Sequence, residues 1–148
     1  MAYDYKIRRR VEFSETDMAG IMHYSNFFRF MEAAEHEFYR SLGFSVNLNH
    51  CDPPLGFPRV HAECNFRKPL RFEDLVEVHL LVKAKKSRAL TYEFRFHLPE
   101  ISPREEAARG ELTIVCVRRT QDGKLKSVDI PAEFQSNIQT APAELFEV

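Results

Sequence analysis

The sequence combines one long helical stripe with several segments in which apolar and polar residues alternate. Between Tyr24 and Leu42, apolar residues recur every three or four positions, which is the period of an α-helix. An alternating segment over residues 3–13 precedes this stripe, and four more follow it. These four begin at Val60, Val76, Leu90 and Leu112. The order of one strand, one long helix and four strands constrains the fold more than any other property of the chain.

This order leaves few ways to bury the apolar faces. The links between the later strands are short, which favours mainly antiparallel pairing. A twisted sheet that curls around the helix buries the apolar side of both. We therefore predict an α+β fold in which a curved antiparallel five-stranded sheet wraps around one long central helix. The length of 148 residues predicts a single domain over 1–148.

The last long strand is apolar on both sides, because Val115 and Val117 add to the alternating face. We therefore expect the outer face of the sheet to stay partly apolar and to support a homodimer or homotetramer. Asp122-Gly123 predicts a tight turn after this strand, and residues 132–138 could form a short helix.

Composition and charge exclude several classes of function. The net charge of −1 disfavours a nucleic-acid partner. No stretch approaches the roughly 18 apolar residues of a membrane span, so we expect no membrane insertion. Three widely spaced cysteines and a charged N-terminus predict a reducing, cytoplasmic location. Metal-binding and nucleotide-binding motifs are absent from the sequence, so we predict no metal and no cofactor.

The polar stretch Ser14–Gly20 lies between the first strand and the helix. It places the carboxylate of Asp17 just before a helix N-terminus, whose free N–H groups can hold a developing oxyanion. Gly20 allows close approach of the backbone, and Tyr24 falls near the first free N–H groups. From the residues alone, a loop or capping carboxylate is the favoured interpretation of Asp17.

This stretch, EFSETDMAGIMHYSNFFRFME, resembles the signature of the 4-hydroxybenzoyl-CoA thioesterase branch of the hot-dog-fold family. The branch includes the YbgC-type acyl-CoA thioesterases. A second stretch, VHAECNFRKPLRFEDLVEV, resembles a later element of the same family, and Ile130-Pro131 followed by Phe134 is a weaker third match. Together the three matches cover roughly residues 5–137.

The resemblance implies a role for several residues. Asp17 matches the catalytic carboxylate, Gly20 the glycine that passes close to the acyl group, and Tyr24 the position whose N–H faces the thioester carbonyl. His23 lies one position before the histidine of many YbgC-type members, so it is either catalytic or a polar loop residue. A different branch uses a helix glutamate as its base, but a solvated or paired role is favoured for Glu32.

A basic cluster joins the second and third of the later strands. Its members Lys85, Lys86 and Arg88, called the basic turn below, could bind the phosphates of coenzyme A or form a solvated turn. Phenylalanines suited to an aromatic acyl pocket, or equally to a plain core, are Phe27, Phe28, Phe57 and Phe66. Cys64 and Cys116 fall on apolar strand faces and are predicted to be inert core residues.

The leading functional hypothesis is an acyl-CoA thioesterase that releases a free acid and coenzyme A. Asp17 would act as nucleophile or as general base, and the residues leave that choice open. The alternative is a non-catalytic hot-dog module that binds acyl-CoA or an acyl-carrier protein. A hot-dog dehydratase is a third possibility, but its usual His/Asp or His/Glu motif is missing from the sequence.

Overall fold

A five-stranded antiparallel sheet and one long helix form the core of the computed structural model, which describes residues 2–147. The strands of this sheet are β1 (Asp4–Arg10), β3 (Arg59–Phe66), β4 (Leu75–Lys85), β5 (Ala89–Leu98) and β6 (Ser102–Val115). They lie in the order β1-β4-β5-β6-β3, and every neighbouring pair is antiparallel. The predicted strand number and antiparallel pairing are therefore confirmed, with β1 and β3 at the edges.

The helix α1 spans Ser25–Ser41, close to the range that the apolar stripe predicts. Its stripe is buried against the inner face of the sheet, where Phe27 contacts Phe96 with ring centroids 5.3 Å apart. The chain leaves the helix at Gly43, whose φ of +85° few other residues adopt. Apolar burial on both elements holds the helix in place, as periodicity indicates.

Gly110 allows the helix to approach the sheet closely. A Cβ atom at this position would lie 2.6 Å from Sδ of Met31, which is fully buried on α1. A glycine in the middle of β6 thus makes room for a helix side chain above it.

Three short strands form a second sheet that the sequence patterns do not predict. They are β2 (Leu55–Gly56), β7 (Val117–Arg119) and β8 (Leu125–Ser127), in the order β2-β7-β8. The chain changes sheets at Cys116, so Val117 does not continue β6 as its alternation suggests. The predicted turn at Asp122-Gly123 joins β7 to β8, and the predicted short helix is present as α2 (Ala132–Asn137). Two 3₁₀ turns, Phe13–Glu15 and Ala143–Phe146, complete the secondary structure.

The outer face of the main sheet is charged, so the expectation of a partly apolar outer face is wrong. Charged side chains line it, and Nε2 of His79 lies 2.8 Å from a carboxylate oxygen of Asp4 on the neighbouring strand. Ion pairs between strands join Lys6 and Arg8 to Glu77 and Lys83 to Glu111, and pairs within one strand join Arg95 to Glu93 and Arg109 to Glu106. The C-terminal segment also crosses this side, where Arg95 donates a hydrogen bond to the Leu145 carbonyl. Val115 and Val117 are only half-buried and form no wide apolar surface.

Across residues 2–147, no helix has both the length and the apolar character needed to span a membrane.

Candidate active site

The loop between β1 and α1 is closed by backbone hydrogen bonds. The Asp17 N–H donates to the Ile21 carbonyl at 2.9 Å, and the Gly20 N–H donates back to the Asp17 carbonyl at 3.0 Å. Gly20 has a φ of +79°, a conformation that L side chains rarely adopt, so a glycine suits this turn. The Met22 N–H donates to the Leu70 carbonyl at 2.6 Å and fixes the loop next to the segment between β3 and β4.

The Asp17 carboxylate lies on the surface of this loop. Its Oδ1 accepts a hydrogen bond from the Ala19 N–H at 2.8 Å, so it stabilises the turn that carries it. The side chain is exposed, and within residues 2–147 its Oδ2 accepts no hydrogen bond. One carboxylate oxygen therefore remains available for a substrate or a water molecule.

The first turn of α1 leaves one backbone donor free. The Ser25 N–H donates to Nδ1 of His23 at 3.3 Å, the Asn26 N–H to the His23 carbonyl at 2.9 Å, and the Phe27 N–H to the Tyr24 carbonyl at 3.2 Å. The Tyr24 N–H donates to no group in the described part of the chain. A free N–H at the positive end of a helix is suited to hold a carbonyl oxygen that gains negative charge.

Asp17 and Tyr24 line one cleft with a volume of about 540 Å³. Its other lining residues are Ile21, Met22, Phe27, Phe66, Arg67, Lys68, Pro69 and Leu70. Most of this wall is apolar, and Phe27 and Phe66 meet edge-to-face with ring centroids 4.8 Å apart. The cleft therefore combines an apolar aromatic wall with a carboxylate, and Tyr24, whose N–H makes no hydrogen bond within residues 2–147, also lines it.

Only two of the four candidate phenylalanines belong to this cleft. Phe27 and Phe66 line it, whereas Phe57 packs in the core against Tyr39, with ring centroids 6.3 Å apart, and Phe28 is not part of the wall. Leu70 was missed as a site residue. Its signal was its place in the R-K-P-L run directly after β3, within the second family-like stretch.

A second cleft also includes Asp17. It is lined by Phe13, Thr16, Asp17, Met18, Gly20 and Phe72. Phe13 was expected on the apolar face of the first strand, but β1 ends at Arg10 and Phe13 is 75% exposed. It packs edge-to-face on Phe72, with ring centroids 5.8 Å apart. The strand ends early because the chain turns into the 3₁₀ segment there.

His23 makes hydrogen bonds with Ser25 and not with Asp17 within residues 2–147. Its Nδ1 lies 2.8 Å from Oγ of Ser25, and its ring stacks on Tyr24 with centroids 4.5 Å apart. Within residues 2–147 it makes no hydrogen bond to Asp17. The helix cap is Tyr24, which provides no side-chain cap bond.

The basic turn lies far from this cleft in the same chain. The cleft adjoins the segment that leads into the first residue of β4, whereas Lys85 is the last residue of β4. The ten residue steps of this strand span about 33 Å. Nζ of Lys85 donates to the carbonyls of Gln135 and Ile138, each at 2.7 Å, and Arg88 pairs with Asp129. The structure therefore does not bring the basic turn and Asp17 together within one chain.

The middle of α1 carries a buried carboxylate that the sequence reasoning missed. Glu35 is fully buried, and its carboxylate accepts hydrogen bonds from Arg59 and, at 3.0 Å, from the Tyr39 hydroxyl. Burial raises its pKa to about 7, although Arg59 and Tyr39 lower it. The sequence indicates it through a charged residue that lies four positions after Met31, on the apolar stripe of the helix. Glu32, in contrast, is exposed and lies 3.8 Å from Arg59, which fits the paired role expected for it.

The cysteines are free thiols in the described structure. Burial raises the pKa of Cys64 to about 12 and that of Cys116 to about 11. Both stay protonated at neutral pH, and a thiol is a poor nucleophile in that form. The expectation that they are inert is consistent with these values.

Comparison with known proteins gives a family match over most of the chain. The sequence model of the family described as the thioesterase-like superfamily matches residues 11–138. A putative esterase of Aquifex aeolicus is 41% identical over 87 residues, which are 59% of this chain and 67% of that protein. A 1,4-dihydroxy-2-naphthoyl-CoA hydrolase of Gloeothece citriformis is 24% identical over 92% of this chain and 94% of that protein.

Solved structures share the fold. A hypothetical protein of Aquifex aeolicus superimposes with a TM-score of 0.78 at 32% identity, over 91% of this chain and 99% of that one. A gentisyl-coenzyme A thioesterase gives 0.74 at 31% identity, over 88% and 99% of the two chains. A 1,4-dihydroxy-2-naphthoyl-CoA thioesterase from Synechocystis gives 0.81 at 20% identity, over 90% and 94%. The predicted α+β fold of the hot-dog type is confirmed.

Proposed function

The chain belongs to the thioesterase-like superfamily, and on that premise we propose that it hydrolyses an acyl-CoA thioester with Asp17 as the reacting carboxylate. The family match confirms the thioesterase class that the sequence motifs predicted. The coenzyme A ester as substrate is supported by relatives named as hydrolases or thioesterases of such esters.

One observation carries the proposal. The Asp17 carboxylate, with a free oxygen, and Tyr24, whose N–H is also free, line the same apolar cleft. Thioester hydrolysis needs a group that attacks the carbonyl carbon or activates water, and a donor for the oxyanion that forms. The acyl group would lie against Phe27 and Phe66, with its carbonyl oxygen toward the Tyr24 N–H.

Two routes fit these groups. In the first, a carboxylate oxygen of Asp17 attacks the carbonyl carbon, the C–S bond breaks, and coenzyme A leaves as its thiolate. Water then hydrolyses the resulting mixed anhydride, which returns the free carboxylate and releases the acid. In the second, Asp17 takes a proton from water as the water oxygen attacks the same carbon, and the C–S bond then breaks. In both, the Tyr24 N–H holds the oxyanion, and the thiolate is protonated by solvent.

A second copy of the chain is the proposed partner of the site. β3 is an edge strand whose other side pairs with no strand of residues 2–147, and Val60 on it is 60% exposed. Phe66, at the end of the same strand, lines the cleft and is 49% exposed. Pairing of two β3 edges would cover these side chains and satisfy the free backbone groups. In such a dimer, the basic turn of one chain would bind the coenzyme A phosphates at the partner's site, because it lies too far from the site of its own chain.

Asp17→Asn tests the reacting group. Asn keeps the size and a hydrogen-bond acceptor for the Ala19 N–H but loses the charge needed for attack or proton transfer. We expect kcat for thiol release to fall by about 10²–10⁴, the range for loss of a general base, while KM changes far less. The melting temperature should change little.

Asp74→Asn is the matched control. Its Oδ2 also accepts a hydrogen bond from a nearby N–H, that of Arg71 at 2.8 Å, but Asp74 does not line the cleft. It should alter stability slightly and leave kcat unchanged. Full activity of Asp17→Asn with a lowered melting temperature would contradict the catalytic assignment and leave Asp17 as a loop carboxylate.

A panel of acyl-CoA substrates separates hydrolysis from binding without turnover. We would measure release of coenzyme A thiol from benzoyl-type, short aliphatic and long aliphatic acyl-CoAs. If no thiol is released although acyl-CoA binds, the chain is a binding module and the proposal fails. The ranking within the panel identifies the acyl group that the Phe27 and Phe66 wall accepts.

A further inference from the structure

The hydrogen bonds of His23 define its protonation pattern. A backbone N–H can only donate, so Nδ1 of His23, which accepts from the Ser25 N–H, carries no proton. The Ser25 hydroxyl, 2.8 Å from the same nitrogen, must then be the donor of that bond as well. In the neutral imidazole, this arrangement places the ring proton on Nε2.

Two contacts connect this imidazole to Tyr24. Because Tyr24, the cap of α1, has no side-chain cap bond of its own, Nδ1 of His23 takes that role for the Ser25 N–H. The His23 ring also stacks on the Tyr24 ring, with an interplanar angle of 29°. The backbone and the side chain of Tyr24 are thus both held by the preceding residue.

We propose that His23 is a positioning residue, which caps the Ser25 N–H and stacks on Tyr24, so that the Tyr24 N–H is the donor of the first turn that stays available to the substrate. This inference rests on the proposed function, in which that N–H holds the oxyanion. It is the alternative to the catalytic role that the sequence leaves open for His23, and it fits a ring that makes no hydrogen bond to Asp17 within residues 2–147.

A pair of substitutions separates positioning from proton transfer. His23→Phe keeps a ring to stack on Tyr24 but removes the acceptor, whereas His23→Asn keeps an acceptor oxygen near the place of Nδ1 and cannot act as an acid or base at neutral pH. We expect kcat of the Phe variant to fall about tenfold, as for loss of a cap that orients a reacting group, with KM within about twofold. The Asn variant should recover most of kcat.

Ser25→Ala is the control, because it removes only the hydroxyl and keeps the capped N–H. Its kcat should stay within about twofold of the wild type. If His23→Asn is as slow as His23→Phe, His23 acts in proton transfer and the positioning role is wrong. If both variants keep the wild-type kcat, His23 has no role in turnover.

Two further measurements keep the inference separate from the proposed function. Asp17→Asn, assayed in parallel, should show a fall in kcat of about 10²–10⁴. If it turns over at the wild-type rate, the proposed function fails, and with it the role of His23. The ¹⁵N spectrum of the wild-type imidazoles reports the tautomer directly and needs no activity. An unprotonated Nδ1 on His23 supports the cap, and a protonated Nδ1 overturns it.

Discussion

Glu35→Gln should remove a pH dependence of stability that one buried carboxyl produces. The side chain of Glu35 on α1 is fully buried, and this burial raises its pKa from 4.5 to about 7. A folded state that holds this proton more tightly than the unfolded chain is favoured at low pH. The contribution is therefore fully present below about pH 4.5 and is lost as the pH rises through about 7.

The size of the effect follows from the change in pKa. At 1.36 kcal/mol per pH unit, a rise from 4.5 to about 7 corresponds to about 3 kcal/mol. Gln has almost the same shape and can still accept a hydrogen bond from Arg59 or Tyr39, but it does not titrate. The free energy of unfolding of the wild type minus that of Glu35→Gln should fall by about 3 kcal/mol between pH 4 and pH 8.

Urea unfolding at a series of pH values measures this difference. Subtracting the two curves cancels the titration of carboxylates that both proteins share. Glu32→Gln is the matched control, because Glu32 lies on the same helix and also faces Arg59 but is 58% exposed. Its difference curve should change far less with pH than that of Glu35→Gln, because the charge of Glu32 is only a minor cause of the raised pKa of Glu35. A flat or rising curve for Glu35→Gln would refute the reasoning, because it would mean that burial does not hold the proton on this carboxyl.

Further substitutions test packing, backbone strain and the basic turn, and light scattering tests the assembly. Gly110→Ala should cost about 1–3 kcal/mol in urea unfolding, because its Cβ would meet the buried Met31, and the cost should nearly disappear in a Met31→Ala background. Glu73 has a φ of +73°, so Glu73→Gly should raise the melting temperature by relieving about 1 kcal/mol of strain. Replacing the three cations of the basic turn by Ala should raise KM with little change in kcat, and the rise in KM should be smaller at high salt. An unchanged KM would mean that the phosphates bind elsewhere. Light scattering should give at least twice the 17.3 kDa chain mass at micromolar concentration, and a monomer would contradict the shared site.

The main elements could be predicted from the sequence because their periods are local. The stripe that ends at Leu42 and the alternating runs each depend on a few consecutive residues, and the structure places α1 and four long strands there. The small sheet of β2, β7 and β8 was not predicted, because two or three residues are too few to show a period. Phe13 was misplaced for a related reason: alternation does not show where a strand stops and a turn begins.

The site was predicted as single residues and not as a geometry. The stretch around Asp17 and Tyr24 identified the loop and the helix start, and the structure places both in one cleft. The opposite wall, with Phe66 and Leu70, comes from a segment some 40 residues later, and only the fold brings it there. The Glu35–Arg59 contact could not be predicted either, because it joins residues 24 positions apart through tertiary packing.

The ion pairs on the outer face of the sheet have a consequence for how copies of this chain can aggregate. Stacking two such faces would remove many charged groups from water, at a cost of several kcal/mol for each ion that is not compensated. The face is therefore a barrier against sheet-on-sheet association, while the free backbone groups of β3 carry no such penalty. The charged outer face therefore disfavours association through stacked sheets and leaves the β3 edge as the favoured site of association between copies.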